Sequence, residues 1–255
     1  MNQLKRIIKE KQGAVCSLFF TAGFPELNDT EQIIMDLQDS GVDFIEVGMP
    51  YSDPMADGPT IQMSSDKALA NGMNLDLLFD QLMEIKDRVN IPLVLMGYFN
   101  QMLKYGEDLF LEKAQKAGIE TLILPDLPMI EYENQYQEKF KSYGISNVFL
   151  VTPQTSEARI RKIDEMSEAF IYVVASASIT GSKGSISAEQ EAYFKRIKSM
   201  KLRNPQIIGF GISNKETFNQ ANQYLDGAII GSAFIRALKE NGVAASKTFT
   251  AEILA

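Results

Sequence analysis

Three carboxylates crowd the stretch "DFIEVGMPYSDPMADGPTIQ", residues 43–62. Glu46 stands inside an apolar run, whereas Asp53 and Asp57 fall in the Pro- and Gly-rich turn behind it. Alternate side chains of a strand share a face. Ile45 and Val47 suit an outer face packed against helices, which turns Phe44, Glu46 and Gly48 toward an interior. A lone carboxyl there is costly to ionise, so its pKa rises toward the range of a general acid or base. The structural alternative is a buried ion pair, yet none of the strand-like runs contains Lys or Arg. Asp53 and Asp57 each read as turn or cap residues, and spacing does not separate them.

Histidine is absent from the chain. That removes Ser-His-Asp and Cys-His catalysis and most imidazole-based zinc sites, and no metal ligand set is expected. Acid–base chemistry is left to carboxylates, Tyr, Lys or water. The single cysteine, Cys16, sits in the strand-like run "AVCSLFF" and reads as a buried structural thiol. One cysteine forms no internal disulfide and fits a reducing, cytoplasmic setting. The net charge of -8 argues against a nucleic-acid binder, which needs a concentrated basic face. No apolar run approaches the roughly 18 residues that would span a membrane. The charged amphipathic start "MNQLKRIIKEKQG" does not read as a signal peptide.

The elements that must carry these acids alternate from end to end. Strand-like runs occupy 14–20, 43–48, 92–97, 121–125, 147–151, 170–176, 206–211 and 227–231, with helical patterns between them. In "DTEQIIMDLQDSG" Ile33, Ile34 and Leu37 recur at helical spacing and Gly41 is a stop signal. Gly118 closes a later helix, and Ser156 is placed to cap another. Eight strand–helix units over 255 residues predict a (β/α)8 TIM barrel, with an N-terminal helix and extra helices, as one domain over 1–255. A doubly wound open sheet is the rival, but no G-x-G-x-x-G turn follows an early strand. Two insertions exceed the simple unit: residues 49–73 after the second strand and the Ser- and Gly-rich stretch 176–187 after the sixth. Both fall where barrels keep their chemistry.

The last two strand-like runs end in glycine, as "GFGISN" and "IIGSAFI". In barrels this region, with a helix N-terminus, recurrently holds phosphate through backbone N–H groups. Gly231 and Ser232, opening "SAFIRALKE", make such an anion nest, and Gly181 after the sixth strand adds to it.

At this point the motifs align with a family. "IEVGMPYSDPMADGPTIQ" closely resembles the signature of the tryptophan synthase alpha chain. "FFTAGFP", "LPDLP", "IYVVASASITG", "GFGIS" and "IIGSAF" match in the same order, across nearly the whole chain. The resemblance implies retro-aldol cleavage of indole-3-glycerol phosphate to indole and glyceraldehyde 3-phosphate. It assigns Glu46 as the general acid/base and Asp57 as the carboxylate that stabilises charge at the indole nitrogen. It places Tyr172 beside Glu46, Phe19, Tyr98 and Phe210 as walls around the indole, and Thr180 as a partner of Asp57 on closure. Gly181, Gly211, Gly231 and Ser232 fall on phosphate-binding positions. Asp53, Pro54, Asn100 and Pro128 resemble contacts to a beta chain, which carries pyridoxal phosphate and receives indole within an α2β2 heterotetramer; this chain is expected to hold no cofactor. Phe24 stands where many relatives carry Asp, Tyr51 where Phe is commoner, and Ser176 and Ser178 where Arg and Gly are frequent. The alternatives are a stand-alone indole-3-glycerol phosphate lyase, a Schiff-base aldolase built on Lys183, and a catalytically dead binding subunit.

Overall fold

In this computed structural model residues 2–54, 57–175, 187–209 and 211–255 are described. The eight strands are β1 Val15–Thr21, β2 Phe44–Gly48, β3 Leu93–Met96, β4 Thr121–Ile123, β5 Ser146–Val151, β6 Ile171–Val174, β7 Gln206–Gly209 and β8 Gly227–Ile230. Each pairs in parallel with the next, and β1 pairs with β8, so the sheet closes on itself. Closure excludes the open doubly wound sheet and gives the (β/α)8 barrel predicted from the alternation of elements.

The apolar pattern explains why the strands close in this way. Ile45 and Val47 are fully buried against the helix layer, while Phe44 turns inward and meets Phe170, which precedes β6, at 5.7 Å between ring centroids. Burial on both faces is what an all-parallel sheet requires. Leu4 and Ile8, one helical turn apart, anchor the first helix, Gln3–Glu10. Asn2 caps that helix and donates to the Glu120 carbonyl, Thr121 Oγ1 and Ser146 Oγ at the start of β4 and β5. The N-terminal end of the barrel is thereby closed off.

The predicted helix boundaries hold where cap chemistry sets them. Asp29–Asp39 ends before Gly41, whose φ of 87° suits glycine. Ser156 Oγ accepts from Arg159 N and opens Glu157–Met166. The insertion after β2 contains the helix Pro59–Ala70, with Pro at its first turn. A second short helix, Phe99–Tyr105, follows β3 and breaks from Glu107–Lys116 at Gly106, φ 96°. Glu107–Lys116 is the helix that Gly118 closes, and Phe99–Tyr105 is one of the extra helices added to the simple unit.

Candidate active site

Glu46 sits mid-strand on β2, 1 % exposed, and its Oε2 has no hydrogen-bond partner among the described residues. Burial, then the nearby Asp57 charge, pushes its carboxyl up to about 8. At neutral pH Glu46 is therefore a protonated acid in a buried position. Tyr172 on β6 is also buried. Burial and the charges of Glu46 and Asp57 hold its phenol well above the usual range, so it stays neutral.

Glycines make the room for these rings. A Cβ on Gly209 would lie 1.9 Å from the Tyr172 hydroxyl, so Tyr172 occupies space that β7 leaves empty. A Cβ on Gly48 would lie 2.6 Å from Phe19, and one on Gly231 3.4 Å from it. Phe19 thus spans the mouth from β1 across to β2 and toward the end of β8. The roles of Gly48 and Gly209 escaped the sequence reading, although the inward phase of Gly48 was visible in the alternation that placed Glu46.

Asp57 precedes the helix Pro59–Ala70, and Gln62 Nε2 from that helix donates to its carbonyl. Its carboxylate accepts from the Tyr98 hydroxyl at 2.9 Å through Oδ2. No described residue donates to Oδ1. Burial raises the Asp57 pKa and the Tyr98 bond opposes the rise. Tyr98 is in turn held from two sides. Gln101 Oε1 accepts from Tyr98 N while Gln101 Nε2 donates to the Pro50 carbonyl. The ring lies 5.0 Å from that of Tyr51, whose hydroxyl accepts from Asn100 Nδ2 at 2.7 Å. A Phe at position 51 lacks that oxygen, so this tie is a consequence of the tyrosine found here.

Replacing Tyr98 by Phe removes the bond that favours ionised Asp57. The Asp57 pKa then rises further, and the acid limb of the kcat–pH profile is expected to move to higher pH. A profile superimposable on the unsubstituted chain's contradicts this role.

A second expectation concerns stability. The Glu46 carboxyl binds its proton far more tightly in the fold, at about 8, than in the unfolded chain, near 4.5. Between those values the fold holds more protons than the unfolded chain, so stability falls as pH rises through this window. The full interval corresponds to a loss on the order of 5 kcal/mol. Glu46→Gln removes that loss. Its melting temperature relative to the unsubstituted chain is expected to climb between pH 5 and pH 8; a pH-independent difference contradicts the raised carboxyl.

Together Phe19, Thr21, Asp57, Ile61 and Tyr98 enclose a cavity of about 20 Å³, room for a single water. Gly231 caps the helix Ser232–Asn241, whose first N–H groups have no partner within the helix. Gly211 adopts φ 81°, a backbone state natural to glycine. Thr180, Gly181 and Phe210 lie outside the described residues, as does Lys183. Of the four residues expected at a partner surface, Asp53 and Pro128 are exposed and Pro54 and Asn100 half-buried. Ile130, 61 % exposed, and Leu103, 41 % exposed, lie on the segments that carry Pro128 and Asn100; neither was picked out from sequence. Cys16 is fully buried and burial pushes its thiol up to about 12, which suits a structural thiol and not a nucleophile.

The profile of the tryptophan synthase alpha chain family matches residues 4–254. The tryptophan synthase alpha chain of Flavobacterium psychrophilum is 57% identical over 253 residues, covering 99% of this chain and 100% of that one. That of Christiangramia forsetii is 53% identical, covering 100% and 99%. Among solved structures, the tryptophan synthase subunit alpha of Legionella pneumophila superposes with a TM-score of 0.89 at 29% identity, covering 99% of this chain and 97% of that one. The chain belongs to the tryptophan synthase alpha chain family, the cofactor-free lyases that cleave indole-3-glycerol phosphate and work with a beta chain that holds pyridoxal phosphate.

Proposed function

We propose that Glu46 and Asp57 carry the family's retro-aldol reaction in this chain, as a single-domain, cytoplasmic alpha subunit of an α2β2 heterotetramer. The observation that carries the proposal is Glu46: buried, unpartnered at Oε2 and held protonated beside a second carboxylate. Protonated Glu46 gives its proton to indole C3, which makes indole a leaving group. The bond from C3 to the glycerol chain then breaks, its electrons returning to the indole ring. The glycerol hydroxyl becomes the aldehyde of glyceraldehyde 3-phosphate, and its proton goes to the Glu46 carboxylate, restoring the acid. Positive charge at the indole nitrogen, present while C3 is protonated, faces Asp57. In a site closed to water that attraction is far stronger than in bulk.

Phe19, Tyr98 and Tyr172, with Phe210, form the walls. Asp57 Oδ1, with no described donor, is the oxygen left to receive the indole N–H. Thr180 joins Asp57 as the site closes. The phosphate lies at the N-terminus of Ser232–Asn241, held by Gly231 and Ser232 with Gly181 and Gly211, through backbone donors that a chain of net charge -8 can offer.

Asp53, Pro54, Asn100 and Pro128 face the beta chain, and the exposed Ile130 and Leu103 supply apolar area to that surface. The Asn100–Tyr51–Tyr98–Asp57 series runs from this surface to the chemistry. Indole release from indole-3-glycerol phosphate by the purified chain, alone and with the beta chain, tests the reading. Turnover is expected alone and to rise with the partner. No turnover in either case sinks the assignment, and equal turnover sinks the coupling.

A further inference from the structure

At the opposite end of the barrel from Glu46 and Asp57 lies a cavity of about 610 Å³, within the range of small-molecule sites. Three segments form it: the end of the first helix, the turn Lys198–Gln206 leading into β7, and the turn Asn222–Asp226 leading into β8. Five cationic side chains line it, Lys9, Lys11, Lys198, Lys201 and Arg203, against one carboxylate, Asp226. In a chain of net charge -8 this concentration of positive charge is local and runs against the whole.

The charges are largely unspent. Lys11 is paired with Asp43, and Asp226 Oδ2 accepts from Gln206 N. Among the described residues Lys9, Lys198, Lys201 and Arg203 form no ion pair with a carboxylate. Lys198 donates to the Gln223 carbonyl, and the Arg203 guanidinium to the Asp164 and Glu165 carbonyls. Beside the cavity, burial first and then the Lys9 and Arg203 charges lower the Lys5 ammonium, against the pull of Asp164 and Glu168.

One further feature marks this end of the barrel. Lys201 adopts φ 49°, a left-handed state uncommon for a residue with a side chain and free of strain for glycine. The turn nonetheless places an ammonium at the cavity.

We infer that this cavity binds a small polyanion, a metabolite bearing phosphate or several carboxylates. The lysines and Arg203 neutralise the charge. A concave site of about 610 Å³ suits a small molecule better than a flat acidic protein surface does.

The test is a residue-resolved amide NMR titration of the full chain with inorganic pyrophosphate, with sodium chloride at equal ionic strength as control. Saturable shifts at Lys201, Asn222 and Gln206 are expected, separate from any shifts at Gly231 and Ser232 at the other end. The double variant Lys9→Glu, Lys201→Glu, both positions exposed, is expected to weaken that binding by at least about tenfold while leaving indole release unchanged. Three results overturn the site: no saturable shift in the unsubstituted chain, shifts that chloride reproduces, or affinity unaltered in the double variant. Saturable binding of an acidic peptide but not of pyrophosphate assigns the surface to a protein partner and equally overturns it.

Discussion

Glu46→Gln is expected to lower kcat for indole release by about 10²–10⁴-fold, the contribution of a positioned general acid–base group. The KM for indole-3-glycerol phosphate should change little. Gln keeps the shape and a polar head on β2 but has no proton to give to indole C3 and no carboxylate to take one back. Glu46 Oε2 has no described hydrogen-bond partner, so the substitution breaks no described bond at that atom. The loss is then read as lost chemistry and not as lost fold. The pH dependence expected of the same variant's relative melting temperature separates the two explanations further: an inactive variant whose relative stability climbs between pH 5 and pH 8 has lost a costly acid.

Asp57→Asn should lower kcat by about 10²–10³-fold, the usual worth of one preorganised electrostatic contact to developing charge. Asn retains an oxygen for the Tyr98 hydroxyl, which now donates to Asp57 at 2.9 Å, so the local geometry survives. What disappears is the negative charge facing the indole nitrogen when C3 is protonated. Steady-state kinetics at pH 7 give the check. A variant within threefold of the unsubstituted chain would mean that Asp57 is the turn residue its spacing suggests. As the proposed mechanism has both acids act in the same step, the double variant should fall short of the product of the two single losses.

The inward phase of Glu46 was legible because it rests on local rules. Period-two alternation fixes which residues of "DFIEVG" share a face, and the absence of Lys or Arg from the strand runs left the carboxyl without a counter-ion. The closed barrel follows from eight such runs separated by helices. Asp53 and Asp57 were inseparable by spacing because what distinguishes them is not local. Asp57 meets the Tyr98 hydroxyl from the segment after β3, while Asp53 is exposed and bonded to its neighbour Ser52. The seats that Gly48 and Gly209 make for Phe19 and Tyr172 depend in the same way on rings reaching across from adjacent strands. The Asn100–Tyr51 bond likewise joins residues from separate segments, one after β2 and one after β3.

The most direct test of the central claim is the pH dependence of kcat/KM for cleavage of indole-3-glycerol phosphate. That ratio reports ionisations of the free enzyme, in which Glu46 holds its proton up to about 8. On the alkaline side kcat/KM is expected to fall with an apparent pKa near that value, and the residual activity of Glu46→Gln to lack this limb. A profile that stays level through pH 9 would contradict it, as would an alkaline limb that persists unchanged in Glu46→Gln.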